Sequence, residues 1–174
     1  MSGDPFSHSL AITSFLRGLR ARPRFRDDSR LRVLLPCGSL PSHMLVGTGI
    51  DITEISRIQA AMARFGERFL DRIYTTAEKT YCLRKKKAAE SFAARFAAKE
   101  AAAKALGTGI SYGVTWLEIE VTREPSGRPG LSFHGRAAQL AERLGVTRAS
   151  LSLTHSNNLA MASVQLEGPD HSTC

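Results

Sequence analysis

The chain predicts an α+β domain, a small antiparallel sheet packed with helices. Three observations carry that prediction. The alanine-rich run Glu90–Leu106 contains no glycine or proline, and alanine is the strongest helix former. Thr115–Val121, Ala149–Thr154 and Leu159–Leu166 carry the apolar patterns of short strands. Pro125–Pro129 and His155–Asn158 have turn composition, so the strands that flank them pair as hairpins. At 174 residues and 43% hydrophobic, the chain can bury one core of ordinary size.

Taken in order, residues 1–43 differ in kind from the rest. They hold seven Arg, three Asp and no Lys, and read as a basic, disordered extension or a targeting segment, with Met44 the expected natural start. A domain over 44–168 and a tail over 169–174 are expected. Val46, Ile50 and Ile52 predict a short buried strand with Asp51 between two isoleucines, while Gly47 and Gly49 permit close backbone approach. Thr53 is the expected N-cap of a helix over Glu54–Arg64. A second helical stretch starts near Glu67 and becomes polar through Ala77–Lys87, where the run Arg84–Lys87 marks a solvated face. The long helix ends at Gly107, a C-cap. In Thr115–Val121 the alternation puts Leu117, Ile119 and Val121 on one face and Glu118 and Glu120 on the other. Leu131 and Phe133 continue the sheet, and Gly135–Leu144 is a short amphipathic helix stopped by Gly145.

Charge and cysteines narrow the function classes. The net charge of +8 divides evenly between residues 1–43 and 44–174, so the body is only mildly basic. That suits an acidic protein partner or a phosphate-rich small molecule as readily as nucleic acid. Three scattered cysteines without CxxC spacing argue against a disulfide framework or zinc site and suit a reducing compartment. No apolar run has the length to span a bilayer.

Two segments carry chemistry. In Arg95–Lys104, Phe92, Phe96, Glu100 and Lys104 follow at i+4 along one helix flank, with Arg95 and Lys99 in a neighbouring row. An ordinary surface pair of Glu100 and Lys104 would account for these residues as well. Asp51 tips the balance, because an acid inside an apolar run needs a cation, a donor or solvent. Asp51 and Glu100 together could share one hard divalent cation, whose remaining positions go to water and phosphate oxygens.

The pattern Gly49-x-Asp51-x5-Arg57, followed by Phe96-Ala-x-Lys99-Glu100-Ala-x-x-Lys104, resembles the two-part signature of the 4'-phosphopantetheinyl transferases. The wording RFAAKEAAAKALGTGI is similar to their small bacterial holo-[acyl-carrier-protein] synthase branch, and the likeness runs from about Val46 to Glu167. Ser126-Gly-Arg-Pro129 and Ser152-Leu-Thr-His155 fit it too.

The resemblance implies the phosphopantetheinyl transferase fold and transfer of the phosphopantetheine arm of coenzyme A to a serine of acyl carrier protein, in fatty acid biosynthesis. Asp51 and Glu100 would hold Mg²⁺, or Mn²⁺, whose charge suits a pyrophosphate under cleavage. Lys104 would meet the leaving phosphate. The serine proton would go to Glu100 or to a metal-held water. Arg95 and Lys99 would hold coenzyme A phosphates. His155 reads by itself as a hydrogen-bonded strand end; the resemblance makes it a contact to the 3'-phosphate, with Ser152 and Thr154 nearby. Arg128 either decorates a turn or flanks the adenine. Arg57, Met62, Arg64, Phe65 and Arg68 would face the acidic carrier, although Met62 and Phe65 could equally be core. The connection between Arg57 and Arg64 is shorter than in many relatives. A homotrimer, a cytoplasmic location, and no membrane or nucleic-acid partner complete the expectation. Two rival readings remain: a metal-dependent enzyme cutting nucleic-acid phosphodiesters, and a non-catalytic module that binds an acidic helical protein.

Overall fold

A computed structural model describes residues 43–110 and 113–169. Apart from His43 and Pro169, the expected N-terminal extension and C-terminal tail lie outside the described residues. In chain order the elements are β1 (His43–Glu54), α1 (Ile55–Phe65), α2 (Glu67–Ile73), α3 (Thr76–Leu83), α4 (Ala88–Ala105), a 3-10 turn (Trp116–Glu118), β2 (Ile119–Arg123), β3 (Pro129–Phe133), α5 (Gly135–Arg143), β4 (Arg148–Ser156) and β5 (Leu159–Pro169).

The sheet that positions the site is antiparallel with order β1-β5-β4, and β2 and β3 form a separate hairpin. In the first sheet Asp51 lies across from Ala162, which in turn faces Leu153. The turn between β4 and β5 places Asn157 at φ 52°, the left-handed geometry that asparagine tolerates. Helix α4 lies across β1 and β5. Its alanines make this possible: Ala97, Ala98, Ala101 and Ala102 are fully buried, and such short side chains let backbone approach backbone. Gly47 and Gly49 complete the fit from the strand side. A Cβ on Gly49 would stand 1.9 Å from the Ala101 carbonyl oxygen, and one on Gly47 would stand 2.2 Å from that of Ala105. These two approaches set the register of β1 along α4, and with it the place of Asp51 beside the helix.

The C-terminus of α4 closes as a Schellman motif. The Thr108 N–H donates to Ala103 O (3.3 Å) and the Gly107 N–H to Lys104 O (2.9 Å), with Gly107 at φ 78°. One core cluster joins α4 to the sheet, the β2–β3 hairpin and α5. A second cluster, around Tyr74, Cys82 and Phe92, gathers α1 to α3 on the other part of α4.

Several expectations need correction. Ile50 and Ile52 are about half exposed, at 52% and 59%. The strand alternates the other way, because Gly47, Gly49, Asp51 and Thr53 take the face toward α4, leaving the isoleucines outward. Thr53 is not an N-cap: it lies in β1 and donates to Asp51 Oδ2 at 3.2 Å. The first turn of α1 is held instead by Asn158, which accepts from Ile55 N–H at its carbonyl and from Ser56 N–H at Oδ1.

The stretch after Glu67 is two helices, because Thr75 and Glu78 form a capping box that starts α3. The strand at Thr115–Val121 begins only at Ile119. Before it, Glu118 bends back to accept from Thr115 N–H (2.8 Å), winding Trp116–Glu118 into a 3-10 turn and leaving Leu117 exposed.

Candidate functional site

The i+4 stripe on α4 runs from core to solvent. Phe92 is fully buried, Phe96 and Glu100 are partly covered, and Lys104 is exposed. Two clefts open along this helix. The first, of about 410 Å³, is lined by Asp51, Thr53, Arg57, Phe96, Glu100 and Lys104, among others. Here β1 and α4 bring together the two acids that lie far apart in sequence. Lys104 Nζ donates to Asp51 Oδ1 (2.8 Å) and to Ile50 O (3.1 Å), and Thr53 occupies the other Asp51 oxygen. Glu100 Oε1 accepts the indole N–H of Trp116 at 2.8 Å. Among the described residues, Oε2 of Glu100 accepts no hydrogen bond.

This donor set suits a hard divalent cation. Among the described residues there is no group of three or more metal-ligating side chains. A pair of carboxylates beside open cleft volume is nevertheless what Mg²⁺ uses, since it keeps several waters and takes phosphate oxygens.

The second cleft, of about 240 Å³, lies toward the other end of α4 and is lined by Tyr81, Glu90, Ser91, Arg95, Arg123, Gly127, Thr154 and His155, among others. His155 Nε2 lies 3.3 Å from Glu90 Oε2. Arg95 packs its guanidinium 4.2 Å from the Tyr81 ring centre, and its Nε is buried with no hydrogen-bond partner among the described residues. A buried, under-satisfied guanidinium edge is a natural anchor for an oxyanion. Burial by itself would raise the Tyr81 phenol. The nearby cations Lys85, Arg123 and Arg95 outweigh it, leaving the group below its ordinary value.

Lys99 faces neither cleft. It is fully buried, bonded to Glu78 (2.8 Å), Trp116 O (2.8 Å) and Ile119 O (2.7 Å). Burial lowers its ammonium pKa below the usual lysine value, although Glu78 pulls the other way. The expected phosphate ligand is thus a buried strut tying α4 to α3 and to the start of β2. The reason is geometric: at i+4 from Arg95 it lies on the α4 flank that β2 and the 3-10 turn cover.

Arg128 is exposed on the turn, and its neighbours Gly127 and Pro129 line the second cleft in its place. Ser152 is exposed on β4, outside the cleft lining.

On the third surface, Arg57, Arg64, Phe65 and Arg68 are exposed, and Arg64 stacks on the Phe65 ring at 4.9 Å. Met62 is partly buried and packs on the core cluster around Tyr74. Phe65, Arg68, Phe69 and Arg72 surround a further hollow there.

Sequence reasoning overlooked Tyr81, Arg123 and Trp116. Tyr81 and Arg123 belong to elements whose spacing says nothing about α4. Trp116 had one available signal, as the only tryptophan in the chain.

Comparison with known proteins identifies the family. Residues 47–163 match the family model of the 4'-phosphopantetheinyl transferase superfamily. Holo-[acyl-carrier-protein] synthase of Koribacter versatilis is 60% identical over 124 residues, covering 71% of this chain and 99% of that protein. The crystal structure of holo-[acyl-carrier-protein] synthase from Neisseria meningitidis superposes with a TM-score of 0.65 at 34% identity, covering 71% of this chain and 98% of the other. That of Helicobacter pylori, in complex with coenzyme A, gives 0.61 at 31% identity, covering 68% and 98%. By the family match and by these likenesses, the chain belongs to the 4'-phosphopantetheinyl transferase superfamily.

Proposed function

We propose that this protein transfers the 4'-phosphopantetheine arm of coenzyme A to a serine of apo acyl carrier protein, releasing adenosine 3',5'-bisphosphate, in fatty acid biosynthesis. The observation that carries the reading is the placement of two clefts along one helix. A carboxylate pair with a lysine occupies one, and an arginine–histidine pocket occupies the other. The synthase from Helicobacter pylori was crystallised with coenzyme A, which supports the choice of donor.

Asp51 and Glu100 would hold Mg²⁺, or Mn²⁺, which takes the same oxygen donors; bound there, it would supply positive charge to a pyrophosphate under cleavage. Arg95, His155 and Arg123 hold the phosphates and nucleoside end of coenzyme A in the second cleft. The serine oxygen attacks the phosphorus that carries the pantetheine arm, and the bond to the nucleotide phosphate breaks. Glu100 lies in the cleft where the serine proton must leave. Lys104, exposed one helical turn beyond it, gives a compact positive charge and a proton to the departing phosphate. Arg57, Arg64, Phe65 and Arg68 form a basic, partly apolar face for the acidic carrier.

A homotrimer fits the outer face of β1, where Leu45, Ile50 and Ile52 stand about half exposed beside Leu159. So much apolar surface along an edge strand favours cover by a second copy. No described helix is long and apolar enough to cross a membrane. A cytoplasmic location suits the free, buried Cys82.

The test is direct: protein, apo carrier, coenzyme A and Mg²⁺ are mixed and the carrier is weighed by mass spectrometry. The arm should appear on one serine. EDTA, Asp51→Ala and Glu100→Ala should each abolish it while the fold persists. Transfer that survives either substitution overturns the site assignment.

A further inference from the structure

Glu100 is a side chain with three rotatable bonds on a partly covered helix flank, and an ion could be shared with Asp51 only if its carboxylate were aimed. The structure supplies the aim. The Trp116 indole N–H meets Oε1 at 2.8 Å, while the ring stacks on Phe96, one turn back on α4, with centres 6.2 Å apart and planes 30° apart.

The indole is itself fixed from behind. Lys99 Nζ donates to the Trp116 carbonyl, so adjacent residues of α4 grip the same turn, one by its backbone and one by its ring. The turn is further closed by Glu118, which accepts from Thr115 N–H and from Arg136 N–H, each at 2.8 Å. Two N–H bonds and Thr115 beside it hold the Glu118 carboxyl below the ordinary glutamate value, so it stays an acceptor.

We infer that Trp116 is a positioning residue: it holds one oxygen of Glu100 so that the other is presented to the divalent cation in the Asp51 cleft. The inference rests on the reading of that cleft as a metal site. An indole suits the task because it donates and cannot accept, so it neither ligates the ion nor repels it as an ammonium would. Outer-shell donors of this kind typically change metal affinity about 10–100-fold when removed. As the only tryptophan, Trp116 also makes the site visible, because its emission reports what happens at Glu100.

The experiment counts free Mn²⁺ by electron paramagnetic resonance in titrations of the full chain, with indole emission followed in parallel. Wild type should bind Mn²⁺ with quenching of the indole on the same curve, and Asp51→Asn and Glu100→Gln should lose both. Trp116→Phe, which keeps the ring stack and removes the N–H, should weaken Mn²⁺ binding about 10-fold or more. Its transfer rate should recover as Mg²⁺ is raised, which general unfolding would not allow. Replacing the single tryptophan by benzothienylalanine, which has sulfur in place of the N–H, should weaken binding to a similar degree without changing shape. Mn²⁺ affinity within twofold of wild type in both indole-altered proteins overturns the inference and leaves the metal-site reading standing. No carboxylate-dependent Mn²⁺ binding in wild type overturns both.

Discussion

Replacing Gly49 by alanine is the sharpest test of how β1 and α4 build the site. The added Cβ would fall 1.9 Å from the Ala101 carbonyl oxygen, and 2.9 Å from both the Ala101 carbonyl carbon and the Ala105 nitrogen. All three are backbone atoms of a buried helix, so no side chain can swing aside. Ordinary contact begins at 3.4 Å, so strand and helix must part from 1.9 to 3.4 Å, or about 1.5 Å. Overpacking of this kind costs about 1–3 kcal/mol in stability. The larger effect falls on the chemistry. Asp51 sits two residues along the strand, and its bond to Lys104 at 2.8 Å cannot survive such a shift unaltered. A misplacement of about 1 Å is worth roughly 100-fold in rate. Gly49→Ala should therefore unfold earlier in urea, bind Mn²⁺ more weakly and modify the carrier about 100-fold more slowly. Gly145→Ala provides the comparison. Gly145 has φ 68°, but its added Cβ meets nothing closer than Pro169 at 3.9 Å, so it should lose stability and keep Mn²⁺ affinity. A Gly49→Ala protein with wild-type urea midpoint and transfer rate would refute the argument that this contact sets the spacing.

Three other outcomes follow from the structure. Glu78→Gln strands the Lys99 ammonium in the core, and removing one partner of a buried pair costs about 3–5 kcal/mol. The urea midpoint should drop sharply while the coenzyme A KM of the folded fraction stays near wild type; the opposite pattern would restore Lys99 as a phosphate ligand. Arg123→Ala should raise the coenzyme A KM about tenfold with kcat little changed, since a lost charge-assisted bond is worth about 1.5 kcal/mol. An unchanged KM would remove Arg123 from the binding pocket. The third concerns acid. The N–H groups of Thr115 and Arg136 set the folded Glu118 pKa below its unfolded value. Its charge therefore stabilises the fold above the ordinary carboxylate range, and that contribution is lost as pH falls through the folded value. Glu118→Gln should be less stable than wild type at neutral pH, with the gap closing in acid; a gap that stays constant down the acid limb would contradict this.

Much of the architecture was written locally. Glu90–Leu106 could only be a helix, and the pairs of β4 with β5 and β2 with β3 followed from turns between apolar runs. The failures were equally physical. Ile50 and Ile52 look like core because isoleucine usually is. Which face of β1 turns inward is decided by the close seat of Gly47 and Gly49 on α4, and alternation within one strand carries no such information. Thr115–Val121 alternates well enough to pass as a strand, but the Glu118 carboxylate wins Trp116–Glu118 for a 3-10 turn.

The residues around Asp51 and Glu100, with their resemblance to the two-part transferase signature, nominated Asp51, Glu100 and Lys104, and the structure brings all three to one cleft. Sequence could not say which cations on α4 reach solvent. Arg95 and Lys99 are one turn apart with similar charge. Only packing against α3 and the start of β2 sends Lys99 to Glu78 in the core, while Arg95 edges a cleft. Nor could spacing reveal that Trp116, sixteen residues on, closes back on Glu100. Local preference is a property of a few adjacent residues; the partner of a side chain is chosen by surfaces that meet only once the chain has folded.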